Sequence, residues 1–163
     1  MKRFIAAVAF SAALAMPAAA KNFAIPAKNP IATLVLPDDW SADEIDTGVE
    51  VTSKDDEVYL AFETVKAKNA EAALNDSLDY LKGKGVTVDE SSMKQQELTM
   101  NGMKGIQVTF TGKDKDGDAQ ISLMLLAASK DRLVMLTYWA SPEGAKANDA
   151  ALNKIAESIK PLN

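Results

Sequence analysis

The sequence predicts a single α+β domain, a mostly antiparallel sheet sandwiched by helices. Several segments alternate between apolar and polar residues, two others repeat at helical spacing, and turn dipeptides separate the β-rich parts. Runs of strands combined with a few helices are typical of α+β folds. The length of 163 residues and the hydrophobic fraction of 47% suit one such domain.

Strands and tight turns are predicted for the first third of the domain. Its segments are an irregular stretch at 22–30, a strand at 31–36, a turn at 38–40, and a hairpin of strands at 48–53 and 57–65. Pro37 ends the first strand because proline lacks the N–H that a sheet ladder needs. In the last of these strands apolar side chains recur at every second position, the period of a strand.

A helix is predicted at 69–82, because small and apolar side chains recur there at helical spacing. They are Ala70, Ala73, Leu74, Ser77, Leu78 and Leu81. Gly83 and Gly85 follow and end the helix. A short strand at 86–89 is expected next.

Four strands between residues 93 and 139 predict an antiparallel meander. Asn101-Gly102 and Asp116-Gly117 are dipeptides that favour type I′ hairpin turns, in which both central residues have positive φ. The last two strands are apolar on both faces. We therefore expect them in the centre of the sheet, covered on both sides.

The chain closes with a second predicted helix. Ser141 is a favourable N-cap, Pro142 suits the first helical position, and Glu143 complements the helix dipole. Lys160 and Pro161 end this helix. The predicted order is β-β-β-α-β-β-β-β-β-α, with no repeat and no linker.

Three features of this arrangement carry a family resemblance. The first is a strand that runs into Leu-Pro-Asp-Asp-Trp at 36–40, and the second is the succession of hairpin, helix and long meander. The third is the closing helix, which is entered from Trp-Ala-Ser at 139–141 and ends at Ser-Ile-Lys-Pro at 158–161. Together they resemble the PsbP-like α/β/α sandwich family, which includes the extrinsic photosystem II subunit, the Mog protein of yeast and bacterial envelope proteins such as DcrB. The resemblance spans the chain after residue 20 and implies a non-enzymatic accessory or binding role.

The first twenty residues predict a signal peptide. Lys2 and Arg3 form a basic start, Phe4 to Met16 is a run of apolar and small residues, and Ala18 to Ala20 supplies the Ala-x-Ala cleavage pattern. The run is shorter than the ~20 residues that span a bilayer. We expect cleavage after residue 20, a mature domain of residues 21–163, and a periplasmic or secreted location. The alternative is an uncleaved N-terminal anchor.

The composition excludes several classes of function. With no cysteine and no histidine, the chain can form neither a Ser-His-Asp triad nor a thiol nucleophile nor a zinc site of the usual kind. Lys2 and Arg3 are the only charged residues of the signal segment, so cleavage leaves 16 bases against 23 acids, a net charge of −7. An acidic protein of this kind is not expected to bind nucleic acid. Without a lipidatable cysteine, no stable membrane anchor is expected after cleavage.

Acidic residues are concentrated between 38 and 57, where nine carboxylates face one lysine. The candidate interaction surface in this segment consists of Asp38, Asp39, Trp40, Asp43, Glu44 and Asp46. Such a surface can steer a cationic partner or collect Ca²⁺, or it can keep an edge strand from aggregating. Asp39 and Asp43 are the carboxylate pair of a possible hydrolase.

Other motifs are weaker. Residues 114–118 are similar to part of an EF-hand loop but lack its first and last carboxylates, so a hairpin turn is favoured. Ser91 begins a Ser-x-x-Lys sequence without its usual companion motifs. Four aromatic residues either line a ligand pocket or anchor the core: Trp40, Tyr59, Tyr138 and Trp139.

These observations favour an exported, non-enzymatic accessory or binding protein with a protein or small-molecule partner in the envelope, and no cofactor. The alternatives are a carboxylate-based hydrolase and a Ca²⁺-binding envelope protein.

Overall fold

The computed structural model describes residues 20–162, so the predicted signal peptide lies outside the described residues apart from Ala20. The chain forms a three-stranded and a seven-stranded sheet. The strands are β1 (Ala20–Ile25), β2 (Ala32–Pro37), β3 (Ser41–Ile45), β4 (Gly48–Thr52), β5 (Val58–Lys66), β6 (Thr87–Met100), β7 (Met103–Asp114), β8 (Gly117–Ala127), β9 (Arg132–Ala140) and β10 (Lys160–Pro161). The helices are α1 (Ala70–Gly83), α2 (Pro142–Ala147) and α3 (Asp149–Ser158), and a single 3₁₀ turn at Ala67–Asn69 precedes α1.

Every strand pairing is antiparallel, and the large sheet has the order β3-β4-β5-β9-β8-β7-β6. The strands β6 to β9 follow one another as a meander, as the sequence predicts. Strands β8 and β9 lie inside the sheet and carry buried side chains on both faces, among them Leu123, Met124 and Leu125. The predicted α+β class, a sheet covered on both sides, is confirmed.

Each face of the large sheet has its own apolar core. On one face α1 packs Leu81 against Val108, Ile121, Leu123 and Met135. On the other face the small sheet and α3 cover the core, and Leu34 of β2 and Ile155 of α3 belong to the same buried cluster. The second covering layer is therefore a sheet as well as a helix.

Three short strands escaped the sequence prediction. β1 lies in the stretch predicted to be irregular, where it pairs with β2 from Ala20 opposite Pro37 to Ile25 opposite Ala32. β3 lies in the acidic segment and β10 is only two residues long. All three are edge strands of their sheets, where partial exposure obscures the apolar pattern that identifies an inner strand.

Two further boundaries differ from the prediction. The segments predicted as strands at 86–89 and from residue 93 onward are one strand, β6, with an irregularity between Asp89 and Lys94. The closing helix is divided at Asn148 into α2 and α3. Its predicted N-cap is confirmed, because Ser141 Oγ accepts a hydrogen bond of 2.9 Å from the Gly144 N–H.

The two turn dipeptides have different outcomes. Asn101 and Gly102 connect β6 to β7 with φ values of 50° and 83°, as a type I′ turn requires. The next turn is shifted by one residue, since Asp114 pairs with Gly117 and the loop is Lys115-Asp116. Asp114 Oδ1 accepts the N–H of Asp116 at 2.8 Å, so a local side-chain bond determines this turn.

Candidate functional site

The predicted acidic surface is dispersed over two turns and an edge strand. Asp38 and Asp39 lie in the turn after β2, Asp43 and Glu44 lie on β3, and Asp46 lies in the turn before β4; all five are exposed. Trp40 is only 5% exposed and packs in the core beneath the small sheet. The tryptophan is therefore a core anchor and not part of an exposed surface.

Strand alternation divides the acids of β3 between the two faces of the sheet. Asp43 lies opposite Glu50, on the face covered by α1, whereas Glu44 lies opposite the buried Val49 on the other face. Between residues 20 and 162, no three acidic side chains converge as a cation site would require. The segment thus gives a diffuse negative surface, and Ca²⁺ binding has no geometric support in this part of the chain.

The proposed hydrolase pair does not share a pocket. Asp39 lies 4.0 Å from Lys54 Nζ in an ion pair whose side chains are both largely exposed. Asp43 is paired across the sheet with Glu50. Neither aspartate lines any of the three best-defined cavities in the described part of the chain.

A cleft between α1 and strands β4, β5 and β9 is the candidate functional site. Its volume is about 510 Å³, which lies within the range of small-molecule sites in proteins. Sixteen residues line it: Thr47, Glu50, Tyr59, Ala61, Glu63, Thr64, Val65, Lys66, Asn69, Ala72, Ala73, Asp76, Ser77, Tyr80, Met135 and Thr137.

Small side chains on α1 explain why the cleft exists. Leu74 and Leu78 of the helix pack against the apolar core, whereas Ala73 and Ser77, four residues apart on the cleft side, are short and fill little of the space between helix and sheet. On the sheet, Ala61 leaves further space below them. These short side chains therefore leave an open space between one side of α1 and strands β4, β5 and β9.

One end of the cleft is aromatic. The rings of Tyr59 on β5 and Tyr80 on α1 stack with centroids 5.9 Å apart, and the ring of Trp139 is tilted against Tyr59 at 6.2 Å. The indole N–H of Trp139 donates a 2.9 Å hydrogen bond to Asp114 Oδ2. These contacts hold both tyrosines in place from outside the cleft.

A carboxylate lies beside the stacked tyrosines. The Tyr80 hydroxyl donates a hydrogen bond of 3.3 Å to Glu50 Oε1. Burial, the hydrogen bond with Tyr80 and the negative charge of Glu50 together raise the pKa of Tyr59 far above its ordinary value. This shift favours the neutral, hydrogen-bonding form of the Tyr59 phenol.

The floor of the cleft carries two buried hydroxyls. Ser77 is 8% and Thr137 is 2% exposed, and Thr137 Oγ1 donates to Ser77 Oγ at 3.2 Å. Two hydroxyls joined by one hydrogen bond have a second hydroxyl hydrogen to donate. Because the pair lines the open cleft, solvent is available to accept that hydrogen. Among the described residues, the buried side-chain oxygen without a hydrogen-bond partner is Thr64 Oγ1.

Three carboxylates and one ammonium group line the cleft. Glu63 Oε1 accepts a 2.7 Å hydrogen bond from the Thr47 hydroxyl, and Glu50 is bonded to Tyr80. Within the part of the chain that the structure describes, Glu50, Glu63, Asp76 and Lys66 form no ion pair. The lining therefore has a net charge of −2, with neutral hydrogen bonds holding two of its acids.

A smaller cavity of about 260 Å³ lies on the other face of the sheet, beneath α3. Its walls are mostly residues of the apolar core, including Phe62 and Ile155. Tyr138 also lines it, and burial raises the pKa of that phenol. The cavity has no charged lining residue, so it offers less chemistry than the cleft.

The weaker motifs act as local structure. Asp114 accepts backbone N–H groups of the β7–β8 turn, and Ser91 Oγ donates to Asp89 Oδ1 at 2.6 Å within the irregularity of β6. Of the four aromatic residues considered for a pocket, Tyr59 lines the cleft and Tyr138 lines the smaller cavity.

Sequence reasoning missed the cleft because its residues come from four separate elements. Two local patterns point toward it: Glu63 shares a strand face with Tyr59, and the stripe of α1 includes the short side chains Ala73 and Ser77. Neither pattern is distinctive before the helix is placed over β4 and β5.

Comparisons with solved structures give the fold. The structure of PsbP (CyanoP) from Synechocystis sp. PCC 6803 matches with a TM-score of 0.62 and 7% identity, over 94% of this chain and 98% of that one. LpqN, involved in cell envelope biogenesis of Mycobacterium tuberculosis, matches with a TM-score of 0.57 and 13% identity, over 88% and 92%. A protein from Bacteroides thetaiotaomicron VPI-5482 matches with a TM-score of 0.58 and 11% identity, over 88% of this chain and 48% of that one.

No protein-family model matches the chain, and no curated protein is similar enough in sequence to count as a relative. The resemblance to PsbP-like proteins is thus confirmed at the level of fold. At these identities it says nothing about ligand or partner.

Proposed function

We propose that this chain, whose fold is that of PsbP-like proteins, is an exported accessory protein of the cell envelope that binds a small molecule without transforming it. The observation that carries the proposal is the 510 Å³ cleft between α1 and the sheet. Its volume lies in the range of small-molecule sites, and its lining combines apolar and aromatic side chains with a few polar groups, as such sites do.

The proposed location rests on the predicted signal peptide and on one structurally similar protein. The basic start, apolar run and Ala-x-Ala pattern of residues 1–20 direct export. LpqN, a protein of the same fold, is described as involved in cell envelope biogenesis. In residues 20–162 no helix has the length and apolar character needed to span a bilayer.

Binding rather than catalysis is favoured by the state of the groups in the cleft. The pKa of the half-buried Tyr59 is raised, which favours its neutral form, and Glu50 and Glu63 accept hydrogen bonds from neutral hydroxyls. These bonds hold the side chains in fixed positions, which favours recognition of a ligand with matching groups.

The test is capture of small molecules by the purified mature protein. It is incubated with the low-molecular-weight fraction of a periplasmic extract, separated by gel filtration, and analysed for bound compounds by mass spectrometry. Ala73→Phe and Ala72→Phe place a ring in the cleft, and Asn75→Phe places the same ring on the exposed side of α1.

We expect a compound retained by the wild type and by Asn75→Phe, with at least a tenfold loss in both cleft variants. Circular dichroism establishes that each variant is folded. Retention that is equal in all four proteins, or no retained compound, contradicts the proposal. Conversion of the compound during incubation contradicts the non-enzymatic part.

A further inference from the structure

The smaller cavity beneath α3 lies on the other face of the large sheet from the cleft and shares no lining residue with it. Its volume is about 260 Å³. An apolar protein cavity of roughly 150 Å³ already binds benzene. The space beneath α3 is therefore large enough for one aromatic ring that carries a small substituent.

Hydrogen bonds fix the helix that covers this cavity. Ser158 Oγ accepts the N–H of Val35 on β2 at 2.9 Å, and Asn101 Nδ2 donates to the Ala156 carbonyl oxygen at 2.8 Å. The side chain of Ala156 contributes only a methyl group to the cavity wall. The cavity thus lies between a small side chain on an anchored helix and the sheet.

The lining favours a neutral ligand. Among the described residues that line the cavity none is charged, and its walls include the apolar side chains of Phe62, Leu152 and Ile155. Burial raises the pKa of Tyr138, as expected where the surroundings disfavour a charged group. An ionised group placed here exchanges its hydration for apolar contacts, which is costly.

Four side chains of the lining favour an aromatic ring. Phe62 and Tyr138 are themselves aromatic, and Met100 and Met124 supply flexible thioethers. Aromatic pairs and sulfur–aromatic contacts are favourable beyond the area that they bury, and methionine adapts to the shape of what it contacts. A saturated ring of the same size lacks both kinds of contact.

One hydroxyl of the lining is available to a polar group of the ligand. The amide of Gln107 donates to Ser122 Oγ at 2.8 Å, and that of Asn153 donates to Asp149 Oδ2 at 3.1 Å. Within the described chain the Tyr138 hydroxyl forms no hydrogen bond, and burial is the cause of its raised pKa. This phenol can therefore donate to a ligand or accept from it without breaking an existing bond.

We infer that the cavity beneath α3 binds a small neutral aromatic molecule with one hydrogen-bonding group, such as a phenol. The ring lies among Phe62, Met100 and Met124, and the polar group lies at the Tyr138 hydroxyl. This second site goes beyond the function proposed for the cleft and does not depend on it.

Four probes of similar size separate these requirements. Para-cresol is neutral and has both the ring and the hydroxyl, toluene lacks the hydroxyl, para-methylcyclohexanol lacks the aromatic ring, and para-toluate is ionised. Each is titrated into the mature protein and followed by NMR of isotope-labelled methionine methyl groups. Met100 and Met124 line the cavity, Met135 lines the cleft, and the exposed Met93 reports binding to the surface.

We expect para-cresol to shift the Met100 and Met124 signals saturably while those of Met93 and Met135 stay in place. Para-methylcyclohexanol should bind about threefold more weakly or worse, and para-toluate at least about tenfold more weakly. The inference is overturned if either probe binds as tightly as para-cresol, if the saturable shift is confined to Met135, or if no signal shifts saturably.

Tyr138→Phe tests the polar contact, because it removes one oxygen atom that has no partner among the described residues. We expect it to weaken para-cresol binding by about three- to tenfold and to leave toluene binding unchanged. Equal changes for the two probes, or no change for para-cresol, contradict the assigned contact.

A filling variant ties the binding to the cavity. Ala156→Leu extends into the space beneath α3, whereas Ala150→Leu adds the same group at an exposed position of this helix. Para-cresol and toluene should both lose at least about tenfold in affinity in the first variant and nothing in the second. Circular dichroism establishes that both are folded, and Tyr138→Phe decides the question if Ala156→Leu is not. Equal affinities in the two folded variants overturn the inference.

Discussion

At the scale of single residues, one glycine sets how closely two strands approach. A Cβ atom built on Gly48 would lie 1.8 Å from the carbonyl oxygen of Phe62, a backbone atom of the neighbouring strand. Gly48 lies opposite Glu63, next to the cleft, and is buried. The absence of a side chain at this position therefore allows β4 and β5 to form the wall that carries Glu50 and Glu63.

Gly48→Ala should lower the free energy of unfolding by about 2–4 kcal/mol, because the methyl group forces the two strands apart. Denaturant unfolding followed by circular dichroism measures the change. Gly83→Ala is the matched control, since its Cβ meets nothing within 4 Å at the end of α1. The control should be neutral or stabilising by up to about 1 kcal/mol. Equal effects of both substitutions would rule out close strand approach as the cause.

At the scale of elements, a carboxylate joins the β4–β5 turn to the junction of α2 and α3. Asp55 accepts hydrogen bonds from the Ser53 hydroxyl and from Asn148 Nδ2, which lies 3.0 Å from its Oδ2. The bond from Ser53 first, then those from Asn148 and the Glu57 N–H, hold the pKa of Asp55 below its ordinary value of 3.8. The helix break at Asn148 is thus hydrogen-bonded to a turn residue that lies 93 positions earlier in the chain.

This lowered pKa predicts a pH dependence of stability. The carboxylate stabilises the fold fully above pH 3.8 and loses this contribution as the pH falls through its lower value in the folded protein. Asp55→Asn should therefore be less stable than the wild type near neutral pH, by less than about 1 kcal/mol because the group is exposed. The difference should shrink below about pH 4, as measured by urea unfolding across pH. A constant difference for Asp55→Asn, or the same pH profile in Asp56→Asn, would contradict this origin.

A second link between elements runs from the β6–β7 turn to the end of α3. Asn101 Nδ2 donates to the carbonyl oxygens of Ala156 at 2.8 Å and Ile159 at 2.7 Å, which have no partner within the helix. The type I′ turn therefore also caps a helix that lies fifty-five residues later.

Asn101→Gly keeps the positive φ of the turn but removes the capping donor. We expect a loss of about 1–2 kcal/mol in the free energy of unfolding and faster hydrogen exchange at the end of α3. Asn29→Gly is the control, because Asn29 also has a positive φ of 56° and its side chain donates no hydrogen bond to the described residues. Similar losses in both variants would show that the turn and not the cap is responsible.

At the scale of the whole molecule, the predicted cleavage site falls at the first strand of the domain. β1 begins at Ala20, so cleavage after this residue leaves the strand from Lys21 to Ile25 and its pairing with β2. We expect the intact mass of the protein released from the periplasm by osmotic shock to correspond to a chain starting at Lys21. A chain retaining Met1 in the membrane fraction would instead show an uncleaved anchor.

Much of the fold could be predicted because its inner elements have strong periodic patterns. The helix α1, the hairpin of β4 and β5 and the meander from β6 to β9 follow from alternation, helical spacing and turn residues. The edge strands β1 and β3 and the break at Asn148 could not be predicted, since exposed edges and side-chain bonds to distant residues leave no local pattern.

The candidate site was less predictable than the fold. The sequence shows a concentration of acids between residues 38 and 57, but Glu50 is the only one of these acids that lines the cleft. Glu63, Asp76 and Tyr80 come from other parts of the chain. The sequence by itself determined the class of the fold and the absence of histidine and cysteine chemistry, because composition and short-range periodicity suffice for both. Only the tertiary structure decided which polar groups meet, because the cleft depends on where a helix with two short side chains stands over a sheet.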